Sequence, residues 1–226
     1  MSKKRSRRAR TASRTWLLGV IAVAVLVVVG VIVLNYSPAA PGVSAAPPPA
    51  APLDGCGSQT CGQPNAPVTI DIYADFQCPY CARSEPALQQ LAAQYVDTGK
   101  VKLVYHNFPV IGPESFTAAQ AALCAEDQNA FWKYAHDLFS HQGPENTGVF
   151  STSYLEQLAA GIGLNTSTFN SCLESGKYAG KVTQEQAQGR QRGVQATPTF
   201  FVNGKMYEGA QTYQQFVAAI NAALGK

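Results

Sequence analysis

Two cysteines spaced by two residues, Cys78-Pro79-Tyr80-Cys81, are the part of this sequence best equipped for chemistry. They follow residues 68–73 (VTIDIY), an apolar, β-branched run that predicts a buried strand. They precede residues 82–96, where Ala87, Leu88, Leu91, Ala92 and Tyr95 recur at helical spacing. Cys78 is therefore expected at a strand-to-helix junction. Unpaired N–H groups and the macrodipole at a helix start favour an anion, so the Cys78 thiolate gains over the thiol there. Such a thiolate is a good leaving group, which makes its disulfide easily reduced and hence oxidising. Pro79 suits the first helical turn, where its missing N–H costs nothing. Cys81, one turn on, can reach back and resolve a mixed disulfide.

The chain has six Cys in all, the others being Cys56, Cys61, Cys124 and Cys172. An even number outside the cytoplasm suggests disulfides. A zinc ribbon is the rival: Cys56, Cys61, Cys78 and Cys81 approximate a four-thiolate spacing. Thiolate-bound structural zinc suits reducing compartments, and the N-terminal features below send this chain outward, so zinc is not expected. Cys56 and Cys61, set among Gly55, Gly57 and Gly62, can close a small ring contributing about 2 kcal/mol in the chain-entropy picture. Pairing Cys124 with Cys172 would contribute about 4 kcal/mol and join two helices. Free buried thiols are the bland alternative for both pairs.

Charge is unevenly spread. Of 17 Lys and Arg, seven precede Trp16, while none of the 14 Asp and Glu do. From Asn35 onward ten basic residues face 14 acidic ones, a net of −4, which argues against a nucleic-acid partner for the body. Residues 16–34 are 19 uncharged, mostly aliphatic residues. As a helix they would span roughly 28 Å, close to a bilayer's hydrocarbon thickness. With the basic tip at 1–15 held inside, everything beyond 34 faces out. A cleaved signal is the competing reading, with a conceivable cut after Ala45, and residues 6–8 lack the flanks of a twin-Arg signal. Residues 35–53 are rich in Pro and Ala and read as an extended spacer. About 170 residues, 54–226, remain for one domain.

These residues resemble the thioredoxin superfamily, and within it the DsbA-like, membrane-anchored extracytoplasmic thiol-disulfide oxidoreductases. The resemblance covers about residues 66–226. It rests on Asp75-Phe76-Gln77-Cys78-Pro79-Tyr80-Cys81, on Asn107-Phe108-Pro109, on residues 121–125 (AALCA) followed by Phe131-Trp132, on residues 169–173 (FNSCL) and 175–179 (SGKYA), and on residues 193–204 (GVQATPTFFVNG). The two middle cysteine segments are similar to those of relatives with a structural disulfide in the helical domain, a second argument for Cys124–Cys172. The resemblance implies that Pro198 is cis, faces the active-site cysteines, and leaves the Thr197 backbone free to pair with an extended substrate. A trans proline opening an edge strand is the default without it. Pro86 falls where such folds kink the first active-site helix, as a mid-helix proline would by itself. Two departures stand out: Ala196 replaces a frequent Gly, and Pro79-Tyr80 replaces the Pro-His of the best-known oxidases.

Asp71 alternates with Ile70 and Ile72 on the strand before the motif. It reads either as a buried carboxyl relaying a proton to Cys81, or as an exposed residue paired with Lys102. Asp75 is expected to shape the turn. His106, His136 and His141 lack metal-ligand spacing and read as surface histidines. Phe131, Trp132 and Phe139 read as helical-domain core, with groove lining as the alternative. The expected order is strand 68–75, helix 79–96, strand 101–107, helices from about 114 to 190, strands 199–203 and 205–208 around an Asn203-Gly204 turn, and helix 212–224.

Together these give an α/β thioredoxin fold with a helical insertion at about 113–192, preceded by one transmembrane helix. The function expected is an oxidase of exported proteins working through Cys78 and Cys81, with Pro79, Tyr80, Thr197 and Pro198 at the site. The alternatives are a reductase or isomerase, or a binding or chaperone module whose cysteines are structural. No cofactor or metal is expected. The expected partners are exported proteins with reduced cysteines and a quinone-linked membrane enzyme that reoxidises the pair. A monomer at the cell membrane, its domain outside, completes the picture.

Overall fold

The computed structural model describes Leu53 and residues 56–226. The anchor expected at 16–34, the basic tip and nearly all of the spacer lie outside the described residues. Among the described residues no helix is long and apolar enough to cross a membrane.

Five strands form one sheet in the order β1-β3-β2-β4-β5: β1 Thr60–Cys61, β2 Val68–Ala74, β3 Val101–Asn107, β4 Thr199–Val202 and β5 Lys205–Glu208. β2 runs parallel to β3, pairing Ile72 with Tyr105, and antiparallel to β4, pairing Tyr73 with Thr199. The central strands β2 and β4 are nearly wholly buried, as their β-branched and aromatic composition demands. At Asn203 and Gly204 φ is 46° and 87°, the left-handed pair that a two-residue hairpin turn between β4 and β5 requires.

Helix α1, Pro79–Leu91, starts directly from Cys78 and runs through Pro86. It continues as a π-helical segment, Ala92–Val96, where the sequence gives one uninterrupted helix. Between β3 and β4 come α2 (Pro113–Glu126), α3 (Phe131–Ser140), α4 (Thr152–Gly161), α5 (Thr166–Glu174) and α6 (Ala179–Gln191). The last helix, α7 (Tyr213–Ala223), opens with a capping box between Thr212 and Gln215. This is a thioredoxin fold carrying a helical insertion.

Strand alternation sorts side chains to the two faces of the sheet. Ile72, Ala74, Tyr105 and Phe200 point toward α1 and α3, where Leu88, Trp132, Ala135 and Phe139 meet them. Tyr73, Phe108, Val194 and Phe201 form a second, smaller cluster on the opposite face. There α6 comes so close that a Cβ on Gly189 would lie 2.7 Å from the Phe108 ring. A disulfide joins Cys124 of α2 to Cys172 of α5, and another closes the Cys56–Cys61 ring. The strand β1, only two residues long, carries no periodicity and no sequence signal; it pairs Cys61 with Leu103 at the sheet's edge.

Candidate active site

Cys78 is the residue before α1, with extended backbone (φ −73°, ψ 118°), and Pro79 occupies the first helical position. The Cys78 carbonyl accepts the Cys81 and Ala82 N–H groups at 3.0 and 3.2 Å. Both thiols of the motif are free and buried, at 5% exposure for Cys78 and 3% for Cys81. Tyr80, between them, is 53% exposed, with the Arg83 guanidinium 4.7 Å above its ring. The antiparallel pairing of Tyr73 with Thr199 brings the residues before β4 alongside the end of β2. The Thr197-Pro198 peptide is cis, the Cys78 thiol donates to the Thr197 carbonyl at 3.3 Å, and Pro198 shares a cavity wall with Cys81.

The two sulfurs are electrostatically unequal. The Cys78 thiol is lowered to about 6, first by the hydrogen bond from Cys81, then by the Thr197 side chain and the backbone N–H groups of Cys81 and Tyr80, against the opposing effect of burial. Cys81 is pushed well above an ordinary thiol, by burial first and then by the hydrogen bond and charge of Cys78. One sulfur is thus prepared to be a thiolate and the other to keep its proton.

Asp75 shapes the turn before the motif. Its Oδ1 accepts the Gln77 N–H at 2.8 Å, and its Oδ2 accepts the N–H groups of Val110 and Ile111 at 2.8 and 3.0 Å.

Asp71 does neither thing expected of it. It sits on the face of β2 away from Cys81, because its neighbours Ile72 and Ala74, not Asp71, look toward α1. Its carboxylate lies 2.8 Å from His106 Nε2 and takes a two-pronged contact from Arg192 at 3.2 Å. Burial pulls its proton affinity up, but the hydrogen bond with His106 and the Arg192 guanidinium outweigh it and hold the carboxyl below the usual carboxylate range. Lys102 instead donates to the Pro64 carbonyl. A proton relay from Asp71 to Cys81 is thereby removed.

The carboxyl that does share the Cys81 cavity is Glu85, one helical turn beyond Cys81. It accepts from Gln89 at 2.6 Å and lies 3.3 Å from His136 Nδ1. His136, read from the sequence as a surface histidine, is half-buried through this contact with Glu85. Trp132, Phe139 and Tyr105 also line the cavity; the Tyr105 hydroxyl and Trp132 Nε1 are buried without a hydrogen-bond partner among the described residues. The spacing of Cys81 and Glu85, four residues on a helix, was the available signal for this carboxyl. Among the described residues no group of His, Cys, Asp and Glu could hold a metal ion, and Cys56 and Cys61 are bonded to each other.

Comparison with known proteins adds four findings. The family model described as Thioredoxin matches residues 56–222. The chain is 30% identical over 156 residues to the probable disulfide bond formation protein D of Bacillus anthracis, covering 66% of this chain and 70% of that one. It is 34% identical over 174 residues to the Na(+)/H(+) antiporter NhaA 3 of Salinispora tropica, across 76% of this chain but only 26% of the antiporter. The chain thus spans about a quarter of the length of that relative. Among solved structures, oxidised BdbD from Bacillus subtilis superposes with a TM-score of 0.68 at 26% identity, covering 75% of this chain and 94% of that one.

Proposed function

The chain belongs to the thioredoxin superfamily and, within it, to the DsbA-like thiol-disulfide oxidoreductases, and on that footing we propose that it is an oxidase of exported proteins. The observation that carries the reading is the split between its two thiols, Cys78 lowered to about 6 and Cys81 raised. A stabilised thiolate at Cys78 favours the reduced pair, so the Cys78–Cys81 disulfide readily takes electrons.

The exchange runs as two displacements. A substrate thiolate attacks Cys78 Sγ of the disulfide, a substrate–Cys78 bond forms, and the Cys78–Cys81 bond breaks. Cys81 leaves with the electron pair and takes up a proton, as its raised affinity favours. A second substrate thiolate then attacks the substrate sulfur, and Cys78 leaves as its stable thiolate. Two electrons have passed to the chain and the substrate holds a new disulfide. The exposed Tyr80 and the Thr197 backbone offer the surface against which an extended substrate would lie. Glu85, on the Cys81 side of the sheet, is the carboxyl placed to exchange the Cys81 proton.

The remaining parts of the reading follow from the sequence. Residues 16–34 anchor the chain as a single span, residues 35–53 lift the domain outward, and a quinone-linked membrane enzyme reoxidises a monomeric protein. The experiment is the equilibrium reduction potential of the full-length chain in detergent, titrated with glutathione. A value near or above roughly −180 mV supports an oxidase, and one near roughly −270 mV makes it a reductase.

A further inference from the structure

The turn that delivers Cys78 to α1 is held by the helical insertion as much as by the sheet. Gln142, in the loop after α3, donates through Nε2 to two carbonyl oxygens of that turn, Phe76 at 2.6 Å and Cys78 at 3.0 Å. Four residues further along the same loop, the Asn146 N–H donates to Gln77 Oε1 at 2.7 Å. Gln77 in turn donates to Ser115 Oγ of α2 at 2.8 Å and to Asn146 Oδ1 at 3.2 Å. The backbone on either side of Gln77 is therefore tied to one loop by side-chain amides.

The position of the Gln142 amide has an electrostatic consequence. The Cys78 carbonyl belongs to the residue whose sulfur becomes an anion, and its oxygen carries the negative end of a peptide dipole. An N–H aimed at that oxygen, and another at Phe76, offset negative charge next to the sulfur and add to the field of the helix N-terminus. They also fix the backbone from which Sγ is presented to Thr197.

We propose that Gln142 is a positioning residue for the redox pair, through which the helical insertion sets how strongly the pair favours its reduced, thiolate form. The proposal rests on the redox reading above. Its chemistry changes no bond: the amide acts on the sulfur only through the two carbonyls it holds.

The test uses the full-length chain in detergent with Gln142→Ala, which removes both donors, and Gln142→Glu, which sets an acceptor charge against the two carbonyls. Gln142→Lys restores a donor and serves as the rescue variant. The readouts are the pH titration of thiolate absorbance near 240 nm and the glutathione equilibrium constant. For Gln142→Ala the Cys78 proton affinity is expected to rise about three- to tenfold, the scale of one net hydrogen bond. The equilibrium is expected to move by a similar factor toward the disulfide, further for Glu, and back to wild type or beyond for Lys. Ala and Glu variants that keep the wild-type titration and equilibrium constant, and lose thermal stability equally in both redox forms, would overturn the proposal and leave Gln142 a loop anchor. If Glu prevents folding, the Ala and Lys pair decides by the same readouts. A wild-type chain with no reversible exchange would instead sink the redox reading itself, whatever the variants did.

Discussion

Cys78 and Cys81 are legible from sequence because the motif that carries them is local: a strand end, a proline at the first helical position, and one turn of helix. The burial of Cys81 and the contact with Thr197 that widen their inequality come from the fold. Their inequality gives a pH dependence with a definite sign. With its folded value lowered to about 6, the Cys78 thiolate stabilises the reduced fold in full above the ordinary thiol range near 9, and this stabilisation is lost as pH falls through 6. The oxidised chain has no such group. The reduced form should therefore gain on the oxidised form in unfolding midpoint from pH 6 to 9, and a constant difference across that range would refute the assignment. The reduction potential should fall by about 60 mV per pH unit below pH 6, where two protons accompany two electrons, and by about 30 mV above it. Since the Cys81 thiol contributes most to lowering Cys78, Cys81→Ala should raise the Cys78 titration midpoint above 6, read by thiolate absorbance. Asp71→Asn should leave that midpoint unmoved, because its carboxylate faces His106 and Arg192. Strand alternation in the sequence does place Asp71 opposite Ile72. What it cannot supply is which face α1 will cover, and both expectations for Asp71 fail on that missing fact.

Among the elements, those with a strong period or a turn signal are the ones the sequence locates well: β2, β3, the Asn203-Gly204 hairpin and the amphipathic α3. The two-residue β1 and the switch to π-helix at Ala92 have no such signature, since each depends on what packs beside it. The loop after α3 is the extreme case. Nothing in its polar sequence announces that Gln142 and Asn146 will reach the turn before Cys78. Helix α6 offers a test of packing against propensity. An exposed Gly→Ala change inside a helix would gain roughly 1 kcal/mol. At Gly189 the new methyl would meet the Phe108 ring at 2.7 Å and Tyr73 at 3.0 Å. Gly189→Ala should cost about 1–3 kcal/mol, the usual range for overpacking, measured as a drop in urea midpoint. An unchanged or raised midpoint would mean that α6 can slide away from the sheet.

For the molecule as a whole, the two disulfides outside the active site differ in reach. Replacing Cys124 and Cys172 together by Ala opens a loop of sequence separation 48 and should cost about 4 kcal/mol. Replacing Cys56 and Cys61 opens a ring of separation 5 and should cost about 2 kcal/mol. Denaturant unfolding with Cys78 and Cys81 reduced in every sample would rank them, and a reversed order would show that the small ring does more than close on itself. The strand order has a consequence of a different kind. Cys78 follows β2 and Thr197 precedes β4, and the two groups that meet at the site lie 119 residues apart in the chain. At about 5–20 residues per second, the ribosome releases Cys78 roughly 6 to 24 seconds before the segment that will cover it. For that interval the thiol pair travels uncapped beside Cys56 and Cys61, and then Cys124 emerges with its partner still unmade. A newborn copy of this chain is itself a client for disulfide formation, and on the oxidase reading proposed above the copies already in place would serve it.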